Sequence, residues 1–217
     1  MSFCSRCGQQ VGTDALFCPN CGAPVTLQPI QPAIQPPTLA STFRGYFSKP
    51  FLYCIMLSSI LIFSVLFVSG SQGEQVPVEQ AQQILMEIET EFGDFTAVNF
   101  FFNNLQIALI SFIPIIGSAW MLFVQYSTGY IFGNIAKAYG VNFASLILLT
   151  LGTPSGLLEF SAYILTLSES FIIVYSAVKK TVRTRLTQQT WKTVCMVIGL
   201  LLIGGIVEAI STGKPII

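Results

Sequence analysis

Cys4, Cys7, Cys18 and Cys21 are spaced C-x2-C-x10-C-x2-C, with glycine after the second and fourth. Each C-x2-C-G is a tight turn that aims two sulfurs at one point, and Gly8 and Gly22 supply the backbone freedom that such a turn needs. Four thiolates in this pattern suit a tetrahedral structural Zn2+. Two disulfides or a rubredoxin-type iron centre are the alternatives, and disulfides within each pair are poorly arranged. A module of about 25 residues has no adequate core, so metal binding supplies most of its folding free energy. Arg6 is its one basic residue, too little charge to hold nucleic acid through phosphates. A structural or protein-docking role is expected.

The other residues with chemical potential lie in apolar sequence. Glu159, Tyr163, Thr166 and Ser170 form one helical stripe (i, i+4, i+7, i+11), with Glu169 beside it, and Asn99, Asn103 and Gln106 form another. Asn104, Asn134, Lys137 and Glu208 complete the polar set, and Pro154 and Gly156 stand at the mouth of the run that carries Glu159. Ionised groups at membrane depth are costly and mark candidate sites. Intramembrane Asn and Gln more often glue helices together, at about 0.6 kcal/mol each. Histidine is absent, which excludes a Ser-His-Asp triad and His-ligated metal centres. With no nucleotide-binding motif either, a non-enzymatic protein is expected. Cys54 and Cys195 sit singly in apolar runs and read as inert packing.

The elements that must position these residues are membrane helices. Of 217 residues, 53% are hydrophobic and 9% charged, against about 25% charged in a soluble domain. The expected organisation is a zinc ribbon over 1–25, a Pro-rich linker with an interfacial aromatic anchor over 26–50, and an all-α multi-span domain over 51–217. No cleavable leader is expected, so the first apolar run would act as the insertion signal. Five spans fit, at about 51–69, 96–113, 118–138, 157–178 and 190–209. Ala81, Leu85, Ile88 and Phe92 recur at helical spacing within an acidic connection over 71–95, predicting an amphipathic helix. The apolar run 144–151 is too short to span against the ~20 residues needed and suggests a re-entrant piece. On the third span, Gly129 and Gly133 form G-x-x-x-G, a surface for close helix approach.

Basic residues set the orientation. Arg44, Lys49 and the cluster Lys179, Lys180, Arg183, Arg185 and Lys192 should face the cytoplasm of a plasma-membrane protein. The ribbon is then inside, where thiols stay reduced, and the C-terminus outside. Lys137 and Lys214 are exceptions. In this frame Asn99, Asn103, Asn134, Lys137, Glu159 and Glu208 share the outer half, and one external polar cavity is expected, with Lys137 paired to Glu159 or Glu208.

The block FFNNLQIALISFIPIIG, a glycine-bearing span and then TPSGLLEFSAYIL resembles the stage II sporulation protein M family over roughly 50–217. An Asn-bearing helix opens the family block, here Asn103 and Asn104, and a Pro-His-Gly precedes a Glu, here Pro154, Ser155, Gly156 and Glu159. Ser155 replaces the usual histidine, which removes a titratable group. The resemblance implies an all-helical, multi-span protein. The family's namesake anchors peptidoglycan-degrading enzymes during engulfment, and other members occur beside transport components. The namesake has no N-terminal zinc ribbon, so its sporulation role does not transfer.

Two functions follow as expectations. One is a membrane scaffold or assembly factor whose ribbon docks a cytoplasmic protein, with a homo-oligomer or a complex with other membrane proteins as its setting. The other is a transport component using the outer cavity, with Glu159 and Glu169, about 15 Å apart along one helix, bracketing a route.

Overall fold

The computed structural model describes residues 2–12, 15–24, 46–92 and 96–213. The chain divides into two units, Met1–Phe43 and Arg44–Ile217. The Pro-rich linker, Arg44, Asp94 and Lys214 lie outside the described residues.

In the first unit, β1 (Ser2–Phe3) and β2 (Gln10–Val11) pair antiparallel, with Ser2 opposite Val11. An isolated bridge joins Phe17 to Pro24. The two C-x2-C turns close alike: the Gly8 and Gly22 amides donate to the carbonyls of Cys4 and Cys18, both at 2.9 Å. Both glycines have positive φ, +72° and +65°, the left-handed conformation that other residues adopt at a cost.

The second unit is helical. Its elements are α1 (Lys49–Gly73), α2 (Val78–Phe92), α3 (Ala97–Ser111), α4 (Ile116–Tyr139), α5 (Phe143–Gly152), α6 (Pro154–Val178), α7 (Val182–Arg185), a π-helical turn (Leu186–Thr190) and α8 (Trp191–Thr212). Their ends carry local signals. Thr96, Asn142 and Thr153 each accept a backbone N–H of their own helix's first turn, and Pro50 and Pro154 open α1 and α6. Gly140 and Gly213 end α4 and α8. Glu74 lies just beyond α1 and accepts the Phe143 N–H at 3.1 Å, a carboxylate at the positive end of α5.

Among the described residues, three helices are long and apolar enough to cross a membrane: α1, α6 and the rod Val182–Thr212 formed by α7, the π turn and α8. A fourth crossing is available from α4 with α5, although the two meet at 117°. The expected span over 96–113 corresponds to α3, whose 15 residues reach about 22 Å, short of the ~30 Å hydrocarbon core. This criterion therefore gives three or four spans in place of the expected five. The run 144–151 forms the bent α5. The acidic connection forms α2 with Ala81 fully buried, while Glu79, Glu87 and Glu89 are exposed.

Helix directions alternate. α1 and α4 run parallel in close contact: a Cβ added at Gly129 or Gly133 would come within 2.3 Å of the Leu66 or Gly70 carbonyl. Only glycine admits that approach, so G-x-x-x-G is the seam between them. α6 runs opposite to α1, with Phe63 stacked on Phe160 at 6.0 Å and Phe51 packed with Ile172. α3 and α8 are likewise antiparallel, Ala97 lying near Gly205 and Ala108 near Val197. The core between α1, α4, α5 and α6 is built on Leu66, Met121, Phe143, Ile147, Tyr163 and Leu167. The alternation collects Lys49, Lys179 and Lys192 at one end of the unit, and Glu159 and Glu208 toward the other.

Candidate functional site

The strongest chemistry is the sulfur cluster. All four Sγ atoms lie within 4.8 Å of one another, with Cys4–Cys21 and Cys7–Cys18 at 3.6 Å. A Zn–S bond of ~2.3 Å implies tetrahedral S–S edges of about 3.8 Å, so the set fits one Zn2+. The 3.6 Å separations are far from the ~2.05 Å of a disulfide, and all four thiols are free. Electrostatics agree. Backbone N–H groups of Arg6 and Cys7 pull the Cys4 thiol down to about 6, and that of Gln9 lowers Cys7. Cys21 is pushed up to about 12; the N–H of Ala23 favours its thiolate, but the sulfurs of Cys7, Cys4 and Cys18 and desolvation outweigh it. Backbone donors thus favour the thiolates of Cys4 and Cys7, and the Cys21 thiolate needs a cation to offset the neighbouring sulfurs.

The second centre is a cavity of about 350 Å³ between α5, α6 and the end of α8. Glu159 and Glu208 face it together with Thr150, Thr153, Ser155 and Gly156. Glu159 accepts from the Tyr163 hydroxyl at 2.9 Å. Pro154, at the first turn of α6, is exposed.

The structure does not bring the other expected residues here. The ion pair among the described residues is Arg185–Glu169, so Lys137 is not bonded to Glu159. The reason is rotation: Phe132 is the α4 residue facing the cavity, and Lys137, five residues on, lies about 140° around the helix. Asn134 is buried on the α1 side, its Nδ2 donating to the Tyr130 carbonyl at 2.8 Å and lying near Gly73. Asn103 and Gln106 line a cleft against Trp120, Ser127 and Thr128 of α4. Asn103 also donates to Asn104 at 3.3 Å, and Asn99 is exposed in the first turn of α3.

Glu169 lies near the opposite end of α6, with no exposed surface. Arg185 grips it from two sides, Nε donating to Oε1 at 2.9 Å and Nη2 to Oε2. Thr190 donates to Oε1 at 2.7 Å and Thr193 to Oε2 at 2.8 Å. With its proton given to Glu169, Thr193 accepts from Tyr46, 2.6 Å away. The guanidinium lies 4.8 Å over the Phe51 ring. Tyr46, expected at an interface, is fully buried here. In the sequence Arg185 is legible only as an orientation signal, and no spacing marks Tyr46, Thr190 or Thr193 as partners of Glu169. An arginine closely following the helix that carries a buried carboxylate is the one signal available.

The profile of the family described as Stage II sporulation protein M matches residues 49–213. The chain belongs to the stage II sporulation protein M family. A zinc-ribbon domain profile matches residues 3–25, the segment holding the four sulfurs, and the site is a structural zinc site. Neither the curated proteins nor the solved structures contain a match. The chain is thus a multi-pass membrane protein of the stage II sporulation protein M family carrying a zinc ribbon. Ser155, the position where the resemblance implies a histidine, lines the cavity 3.4 Å from the Thr153 hydroxyl.

Proposed function

We propose that the protein is a non-enzymatic membrane scaffold whose zinc ribbon docks a protein partner. One observation carries this reading: the ribbon leaves Phe3, Leu16 and Phe17 exposed at 65%, 75% and 64%. Three large apolar side chains exposed on so small a module mark it for interaction, and its lone Arg6 argues for protein over nucleic acid. The basic end of the membrane unit supports a cytoplasmic ribbon and an external C-terminus in the plasma membrane. The test is co-purification from native membranes with Leu16→Ser and Phe17→Ser together, zinc content being measured in parallel. Loss of the same partners at full zinc occupancy is expected, and their retention overturns the reading.

The cavity of Glu159 and Glu208 favours transport as a second reading. Flux in proteoliposomes that falls in Glu159→Gln, with co-purifying partners unchanged, would support it over the scaffold.

A further inference from the structure

At the basic end of the membrane unit, the start of α1, the end of α6 and the α7–π-turn segment enclose a cavity of about 210 Å³. Hydroxyls and carboxamides face it, from Ser48, Ser176, Thr181, Thr184, Gln188 and Gln189, and Arg185 closes one side. A guanidinium has five N–H donors. Two go to Glu169, and no hydrogen bond among the described residues takes the other three. Ser48 occupies the N-cap position of α1, yet its hydroxyl makes no cap bond, so it is not committed to the helix backbone.

The surrounding charge has one sign. Lys49 adjoins Ser48, Lys179 and Lys180 precede Thr181, and Arg183 and Lys192 flank the π turn. Glu169, the acid at this end among the described residues, is taken by Arg185. Lys180, beside the lining Thr181, holds a left-handed backbone, φ +57°, where glycine would be less strained. Donors without a carboxylate, in a positive field between membrane helices, suit an anion with several acceptor oxygens.

We infer that this cavity binds a phosphate group, the chemistry an anionic lipid headgroup presents at the membrane surface. The guanidinium and the hydroxyls of Ser48, Ser176 and Thr184 donate to the phosphate oxygens, the Thr181 hydroxyl being held by the Ser176 carbonyl, and the lysines set the field. The inference is independent of the ribbon's docking role and of the Glu159 cavity.

The test uses the full zinc-loaded chain in detergent, read by native mass spectrometry and thermal unfolding with added phosphatidylglycerol or phosphatidylcholine. Phosphatidylglycerol should bind about tenfold more tightly and raise the unfolding temperature. Thr184→Val with Gln188→Leu should lose that preference by a similar factor, the loss of one or two charge-assisted contacts. Lys180→Gly, which relaxes the backbone and removes a charge, should weaken binding without lowering the lipid-free unfolding temperature, and stands in if the double variant does not fold. Inorganic phosphate that displaces the lipid would identify the bare anion as sufficient; phosphate without effect on site-dependent lipid binding would assign the site to the headgroup. Equal response to both lipids, or full phosphatidylglycerol binding in both variants, overturns the inference.

Discussion

Glu159 and Glu169 are the same residue type on one helix, ten positions apart, and their surroundings are opposite. Glu169 has no exposure, a two-pronged arginine and two hydroxyl donors. Its four lone-pair directions are filled. Glu159 has one hydroxyl donor and faces a cavity with a second carboxylate. A saturated carboxylate holds helices together and has nothing left for a ligand, whereas the other keeps acceptor capacity toward an open space. Ionisable residues at depth are expected to be functional, and this pair shows that partners decide the matter.

Separating the two members of the buried pair should have the largest effect. Glu169→Leu or Arg185→Leu alone leaves a buried charge without compensation and should destabilise by about 3–5 kcal/mol. The double variant should recover most of that loss, measured by denaturant unfolding in detergent. If Glu169→Leu costs no more than Glu159→Leu, the contrast between the sites collapses.

Next comes a reference set by packing. Gly133→Ala drives a methyl group into the Gly70 carbonyl of α1, 2.1 Å away, and should cost about 1–3 kcal/mol. A loss below that of Glu159→Gln would mean that the open carboxylate is more structural than its surroundings imply. Glu159→Gln itself weakens one hydrogen bond and should cost about 0.5–1.5 kcal/mol, with any functional loss well beyond that.

The smallest effect on either carboxylate should come from acid acting on the ribbon. Because the Cys4 thiol lies at about 6, below its ordinary 9.0, its thiolate favours the folded ribbon. That contribution is complete above 9.0 and gone once pH has fallen through about 6, where protons also displace zinc. Acidification from pH 7 to 5 should therefore release zinc, seen with a chromogenic chelator. Unfolding of the membrane unit should stay unchanged, and a parallel loss there would show that the two units are not independent.

How much the sequence revealed follows the range of each interaction. The zinc ligands sit in two local turns, so spacing alone identified all four. The Gly129–Gly133 seam and α2 were legible through helical periodicity. Glu159 and Glu208 were readable as neighbours because alternating helices put them at one depth. Depth, however, does not fix rotation, and Asn103, Asn134 and Lys137 share a level without sharing a cavity. Arg185 was illegible as the partner of Glu169 because the bond crosses a helix break, where no periodic rule carries from residue 169 to 185.

The π-helical turn at Leu186–Thr190 makes the buried pair sensitive to backbone winding as well as to composition. Its wider i→i+5 closure takes one extra residue into what would otherwise be a continuous helical rod, and it brings Thr190 into line beneath Arg185. Wound as regular α-helix with all its residues kept, the same segment would swing Arg185 by about 100° relative to Thr193, away from Glu169, with every side chain of the network still present. The latch therefore depends on how this turn closes and not only on which side chains the sequence carries.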